Sequence, residues 1–291
     1  MVNIRELSNL IIKIEKTIDV NNIKHDSTLL WPIVRAYLYG VHLFGQNKTQ
    51  DNKSKSSFWL KSKISNFRHK KAAIGYIRNF DFQNRVKFLF WGRSPDYTDN
   101  LNGLSYSRHS DPYFELFNEK YECLKLEFGE PDSRYIETTF LPTWITQFIE
   151  PEINLEKKTK LIIKEIYDTI FNDHKSDTII DYVTCKISRI KYLSKIIKVC
   201  LMKINPKAVF VVCYYDEHSA AVLVACNELK ITTIEIQHGQ QGIFNSMYCR
   251  WTNIPIDGYS LLPKYIWTWG QESKENLLLD RKDVGSYPVP I

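Results

Sequence analysis

No stretch of this chain stays apolar for the ~18 residues that a membrane-spanning helix needs, so a transmembrane anchor is not expected. The N-terminal MVNIRELSNLIIKIEK interleaves charged with apolar residues. It therefore lacks the uninterrupted apolar core of a secretory signal. The six cysteines, Cys123, Cys185, Cys200, Cys213, Cys226 and Cys249, stand singly. With no CxxC pair, neither a closely spaced zinc site nor a disulfide scaffold is expected. Most of them sit in apolar runs, as reduced core thiols do, and a cytoplasmic location is the expectation. The seven histidines form no HxxxH pair and there is no DxD, so no metal site is expected. GxGxxG, a P-loop and the GxSxG elbow of Ser-His-Asp hydrolases are also missing.

What remains is an ordinary globular composition, 44% hydrophobic and 25% charged over 291 residues, long for one compact domain. Aromatic residues make up 13%, which suits a dense core as well as a carbohydrate- or nucleobase-binding surface. Net charge is +6, much of it between Lys48 and Arg85, where Lys53, Lys55, Lys61, Lys63, Arg68, Lys70 and Lys71 surround Phe58, Trp59, Leu60, Ile64 and Phe67. A surface of this kind suits anionic lipid headgroups or phosphate, and it equally suits a solvated loop leading into an ordinary helix. Nucleic-acid binding is not expected, because the cluster lies outside the sheet described next.

Residues Asn3 to Lys16 place Ile4, Leu7, Leu10, Ile11 and Ile14 at helical spacing, and a second helix is expected from Ser27, with Pro32 in its first turn. Gly45 to Ser57 reads as a linker. The first 80 residues are thus a helical, basic segment ahead of a main domain at 81–291. Val86 to Trp91 reads as a buried strand, Asp111 to Glu119 as a helix and Tyr121 to Phe128 as a second strand, which makes one strand–helix–strand crossover. Leu155 to Ile204 is helical, with a break near Asn172 to Ser176. Ala208 to Cys213 and Thr232 to Ile236 are β-branched apolar runs separated by Ala220, Leu223, Val224 and Leu229 at helical spacing, a second crossover. The expected fold class is α/β, a Rossmann-like parallel sheet preceded by the helical N-terminal segment.

Parallel sheets of this kind collect ligands at the carboxyl ends of their strands. There the sequence supplies Arg93 and Asp96 after one strand, Asp216, Glu217 and His218 after another, and Gln237, His238 and Gly239 after a third. A neutral imidazole suits deprotonation of a hydroxyl group, and Gly239 is expected to let the backbone turn sharply beside it. A structural histidine bonded to a neighbouring loop is the plainer alternative. Asp216 and Glu217 equally suit a helix N-cap, and Arg108, His109 and Asp111 read as loop and cap. Trp267 and Trp269 alternate on an expected strand from Tyr265 to Trp269, which would put both on one face.

The run EIQHGQQG, followed by IPIDGYSLLPKYIWTWGQESKENL, resembles the end of the N-terminal domain of bacterial GT-B glycosyltransferases that build capsule, lipopolysaccharide or teichoic-acid-like polymers. The matching residues are Gln237, His238 and Gly239, then Pro263, Trp267, Trp269 and Gly270. About 60 residues carry the likeness directly. The resemblance implies an acceptor-binding half that passes a sugar from a nucleotide-sugar donor to a lipid-linked or growing glycan, without metal or cofactor, at the inner membrane face, where the basic residues 53–71 could contact anionic lipid. It implies His238, beside Gln237 and Gly239, as general base or phosphate contact; Asp216, Glu217, His218, Arg93 and Asp96 are expected around the substrate from their place at the strand ends. Such enzymes continue into a donor-binding domain, and here the chain is expected to lack it, because it stops at Tyr287-Pro288-Val289-Pro290-Ile291. Two other readings stay open: a nucleotide-sugar 2-epimerase of the same fold, and a non-catalytic membrane- or glycan-binding module.

Overall fold

The computed structural model describes residues 3–44, 59–82, 86–147, 153–171, 176–281 and 288–291, with side chains omitted at 42–44 and 59–66. The expected linker at 45–57 and residues 53–58 of the basic segment lie outside them. Of that segment, Phe67 is 63% exposed, beside an exposed Arg68 and Lys71.

Helix α1 (Ile4–Thr17) begins with a reciprocal cap: Asn3 Oδ1 accepts from the Glu6 backbone N–H and Glu6 Oε2 accepts from that of Asn3, both at 2.9 Å, so two otherwise unpaired donors are satisfied. The expected helix from Ser27 starts later. Asp26 adopts a left-handed φ of 49° and turns the chain into a small hairpin, β1 (Lys24–His25) and β2 (Thr28–Leu29). Helix α2 (Trp31–Phe44) follows, then α3 (Trp59–Asn79).

The remaining elements are β3 (Phe88–Trp91), the hairpin β4 (Asp99–Leu101) and β5 (Leu104–Tyr106), α4 (Asp111–Asn118), β6 (Cys123–Phe128), β7 (Thr139–Leu141), α5 (Lys157–Phe171) and α6 (Ser176–Ile204). After them come β8 (Ala208–Val211), α7 (Glu217–Leu229), β9 (Thr232–Ile236), β10 (Tyr265–Trp267), α8 (Gln271–Leu278) and β11 (Val289–Pro290). Both expected crossovers are present, as β3–α4–β6 and β8–α7–β9. Seven strands form one parallel sheet in the order β11-β10-β9-β8-β3-β6-β7. The chain enters the sheet at the interior strand β3, runs outward through β6 and β7, returns to β8 on the other side of β3, and runs outward again. This is a doubly wound, Rossmann-like α/β sheet, and its direction reverses between β3 and β8. A crevice opens at such a reversal, because successive loops depart to opposite sides.

Strand alternation divides the core. Phe90, Phe210 and Ile236 pack on one face with Phe114 of α4, and Phe90 stacks on Phe210 with ring centroids 4.5 Å apart. Leu89, Trp91, Val209 and Val211 face the opposite way into a larger core. Leu7 and Ile11 of α1, Val34 and Leu38 of α2 and Ile77 of α3 belong to that same core, so the helices of the first 80 residues cover one face of the sheet.

A buried ion pair ties these helices to the long connection between β9 and β10. Arg35 of α2 and Glu15 of α1 are both fully buried and joined. Arg35 also donates to the backbone carbonyls of Ser246 and Cys249, and its guanidinium lies 4.1 Å over the Trp251 ring. Glu15 accepts from Trp31 Nε1 and from the Thr252 N–H and hydroxyl, each at 2.7 Å. Every charge-bearing atom of the pair thus has partners, the condition under which a buried pair is tolerated. Among the described residues no helix is long and apolar enough to cross a membrane.

Candidate functional site

The crevice is walled by the loops that leave β3, β8 and β9. β3 ends in Gly92, where the chain turns into the short helical turn Ser94–Asp96. Arg93 grips Asp96 with two donors, Nε at 3.1 Å and Nη2 at 2.7 Å. Its third nitrogen, Nη1, lies 3.7 Å from Asp216 Oδ2. Burial disfavours the charge on Arg93, yet the hydrogen bond and carboxylate of Asp96 outweigh it and raise the guanidinium pKa. Across the crevice, Asp216 Oδ1 caps α7 by accepting from the His218 and Ser219 N–H groups at 3.0 and 3.3 Å. The N-cap reading of Asp216 is met through Oδ1, while Oδ2 lies on the Arg93 side.

His238 follows β9 at the same rim, and its side chain is 19% exposed. The imidazole is neither sealed in the core nor turned to the opposite edge. Its Nε2 is 3.3 Å from the Tyr215 hydroxyl, and its Nδ1 is 3.6 Å from Glu235 Oε1. His109 meets it edge-on, with ring centroids 6.2 Å apart. Burial, and next the Arg93 charge, lower the His238 pKa to about 4, so the ring is neutral at physiological pH and keeps one basic nitrogen. Burial also lowers the His109 pKa.

Four expected site residues are engaged elsewhere or are not required where they stand. Gln237 is buried and fully used as a latch: Nε2 donates to the Gly239 carbonyl at 2.9 Å and to Ser273 Oγ at 3.1 Å, while Oε1 accepts from the Trp269 N–H at 2.7 Å. It joins the β9 loop to the turn before α8 and has no polar atom left for a substrate. Glu217 points to Arg189 of α6, 2.9 Å away, because the first turn of α7 packs on that helix. Gly239 has no left-handed φ and open space where a side chain would start, so the turn after His238 does not require glycine. His218 packs its ring on Phe128 at the end of β6, with centroids 5.2 Å apart, and burial lowers its pKa.

The cluster at Arg108, His109 and Asp111 divides three ways. Arg108 is exposed beside Asp99, and His109 joins the crevice. Asp111 is fully buried against Lys125 of β6, and it also accepts the Ser107 N–H at 2.9 Å. The two tryptophans separate as well. The strand stops at Trp267, which packs 5.0 Å from Tyr113, whereas Trp269 lies beyond it and is 57% exposed.

The residues not singled out from sequence are the charges inside the strands. Lys125, Glu127 and Glu235 are all fully buried. Each interrupts an apolar strand, CLKLEF or TTIEI, and that interruption was the available signal. Burial raises the Glu127 pKa; its Oε1 accepts from Ser94 Oγ at 2.9 Å, which ties the end of β6 to the loop holding Arg93. Burial raises the Glu235 pKa to about 8, and its Oε1 accepts from the Tyr248 hydroxyl at 2.5 Å. Lys186 of α6 donates to the Tyr215 carbonyl at 2.7 Å, which fixes the loop that presents Tyr215 to His238.

Fold and rim together define a Rossmann-like α/β protein with a polar crevice at the reversal of its sheet, lined by an ion-paired arginine and two neutral histidines. Comparison with protein-family models, with curated proteins and with solved structures finds no match.

Proposed function

We propose that this chain is the acceptor-binding half of a bacterial glycosyltransferase that passes a sugar from a nucleotide-sugar donor to a lipid-linked or growing surface glycan, with His238 as general base. The observation that carries the reading is a neutral, partly exposed imidazole at the carboxyl ends of the strands, with Nε2 beside the Tyr215 hydroxyl. A base so placed contributes on the order of 10²–10⁴-fold to deprotonating a hydroxyl group. The charge balance of the rim favours the acceptor over the donor. Arg93 is already matched by Asp96 and Asp216, which leaves it poorly disposed towards a diphosphate. Carboxylates and imidazoles at a crevice rim are suited instead to the hydroxyl groups of a sugar. Asp216, Arg93, Asp96 and His109 are the residues assigned to that contact. Gln237, Glu217 and Gly239 are not, for the reasons above.

Saturation-transfer NMR with a panel of methyl glycosides, set beside uridine diphosphate, tests the assignment. Transfer to at least one glycoside that His238→Ala and Asp216→Asn both weaken supports it. Binding confined to uridine diphosphate, or glycoside signals that neither substitution changes, removes it.

A further inference from the structure

We propose that Glu235, held by Tyr248, is the positioning residue for His238: its Oε1 receives the Nδ1 proton and so leaves Nε2, beside the Tyr215 hydroxyl, as the basic nitrogen. This rests on the functional reading only for its catalytic meaning; the geometry stands by itself. Glu235 and His238 are three residues apart, at the end of β9 and in the loop after it, and Oε1 lies 3.6 Å from Nδ1. A closure of well under an ångström would make this a hydrogen bond, and contacts of this kind tighten when a ligand occupies the site.

The backbone of Val212 faces the His238 ring and that of Tyr214 faces the Glu235 carboxyl, yet each side chain keeps one atom without a close partner. Among the described residues neither His238 Nδ1 nor Glu235 Oε2 has a hydrogen-bond partner, a costly state for a buried polar atom unless function maintains it. The carboxyl cannot swing freely. It is fully buried, and the Tyr248 hydroxyl fixes Oε1 on the His238 side at 2.5 Å. Tyr248 is itself packed between Tyr214, at 5.3 Å, and the His238 ring, at 6.0 Å between centroids.

Protonation agrees with this assignment. A neutral carboxyl that accepts the Tyr248 hydrogen at Oε1 carries its own proton on Oε2, and the second lone pair of Oε1 is free for Nδ1–H. The opposite arrangement, with the acid donating to Nδ1, would put the imidazole proton on Nε2 and leave no base in the crevice. Tyr248 disfavours it, because a carbonyl oxygen accepts its hydroxyl proton better than a protonated oxygen does. On the far side of the ring, the Tyr215 hydroxyl at 3.3 Å is placed to donate to the bare Nε2 and to be displaced by, or relay, an acceptor hydroxyl.

Long-range proton–nitrogen NMR correlation on the ¹⁵N-labelled chain, with the His238 signals assigned by their loss in His238→Gln, reads the tautomer directly. The expected wild-type result at neutral pH is an Nδ1–H imidazole in about tenfold excess, the equilibrium worth of one hydrogen bond. Glu235→Leu should bring the two tautomers towards parity. A wild-type imidazole protonated mainly on Nε2 overturns the proposal, and so does a folded Glu235→Leu with the wild-type ratio. If Glu235→Leu does not fold, the wild-type spectrum decides alone. Because the readout is spectroscopic, loss of the glycosyl-transfer reading through absent sugar binding would leave this result standing, and the reverse also holds.

Discussion

Arg93 and Asp216 approach to 3.7 Å across the crevice, so the first strand of the sheet and the strand that reverses its direction are linked at their carboxyl ends by one charged contact. The contact is partly exposed and long, and such pairs contribute ~0–1 kcal/mol. The cap that Asp216 gives to α7 is worth more, typically ~1 kcal/mol. Asp216→Asn keeps a capping oxygen and loses the charge, whereas Asp216→Ala loses both. Urea unfolding should therefore show Asp216→Asn within ~0.5 kcal/mol of wild type and Asp216→Ala lower by ~1 kcal/mol. Equal losses in the two variants would place the stabilisation in the ion pair instead.

The Glu15–Arg35 pair gives a larger prediction. Both side chains are fully excluded from solvent, and removing one member strands the other. Arg35→Met should lower stability by ~3–5 kcal/mol. The double variant Glu15→Met/Arg35→Met should lose clearly less than the sum of the single variants, because neither charge then remains. A double-mutant cycle in urea measures the difference. Additive losses would show that the two side chains stabilise separately, through their own bonds to the β9–β10 connection, and not as a pair.

What could be read from the residues depended on how locally each feature was encoded. The crossover from β8 through α7 to β9 was legible because a β-branched run, a helical period and a second such run follow one another without interruption. The Asn102-Gly103 turn was equally local: both residues take positive φ, 55° and 84°, as a two-residue hairpin turn requires. The strands it joins escaped notice, since their alternation is weak and all of β4 is exposed. β7 and β11 are two or three residues long and exist only through pairing with β6 and β10, which no local pattern announces. The site divides in the same way. His238 was found from its place after a strand, while His109 reaches it from a loop more than a hundred positions earlier. Gln237 looked available because it adjoins His238; only the fold shows that the turn before α8 claims it.

Two glycines make opposite predictions. A Cβ on Gly92 would lie 3.2 Å from both Glu127 Oε2 and Tyr97 Oη, the ends of a buried and a half-buried side chain that would both have to give by a few tenths of an ångström. Gly92→Ala should therefore cost ~1–3 kcal/mol, as overpacking does. Gly239 has nothing within 4 Å of that point and no positive φ, so Gly239→Ala should stay within ~0.5 kcal/mol of wild type. Thermal unfolding of the two variants side by side checks both. A severe loss at Gly239 would mean that the loop beside His238 depends on glycine after all.

The pH dependence of stability should separate Glu235 from the histidines. Burial raises the Glu235 pKa to about 8 in the folded chain, well above that of an unfolded carboxyl group. Between those two values the folded state holds a proton that the unfolded state has lost, so stability falls as pH rises through the interval and levels off above about 8. Glu127, raised in the same direction by burial, adds to the fall. His238 has the opposite sign. Its folded pKa of about 4 lies below the ordinary imidazole value of 6.5, so its contribution is present above the unfolded value and is lost as pH drops towards about 4; His109 and His218 shift the same way. The unfolded imidazoles still titrate from pH 6.5 to about 7.5, so the two trends overlap there and the Glu235 contribution is read as a difference between variants. Urea midpoints measured from pH 6.5 to 8 should decline in the wild type relative to Glu235→Gln, which keeps the shape and cannot ionise. An equal slope in the variant would show that Glu235 is already ionised in the folded chain and would remove the neutral carboxyl from the account of His238.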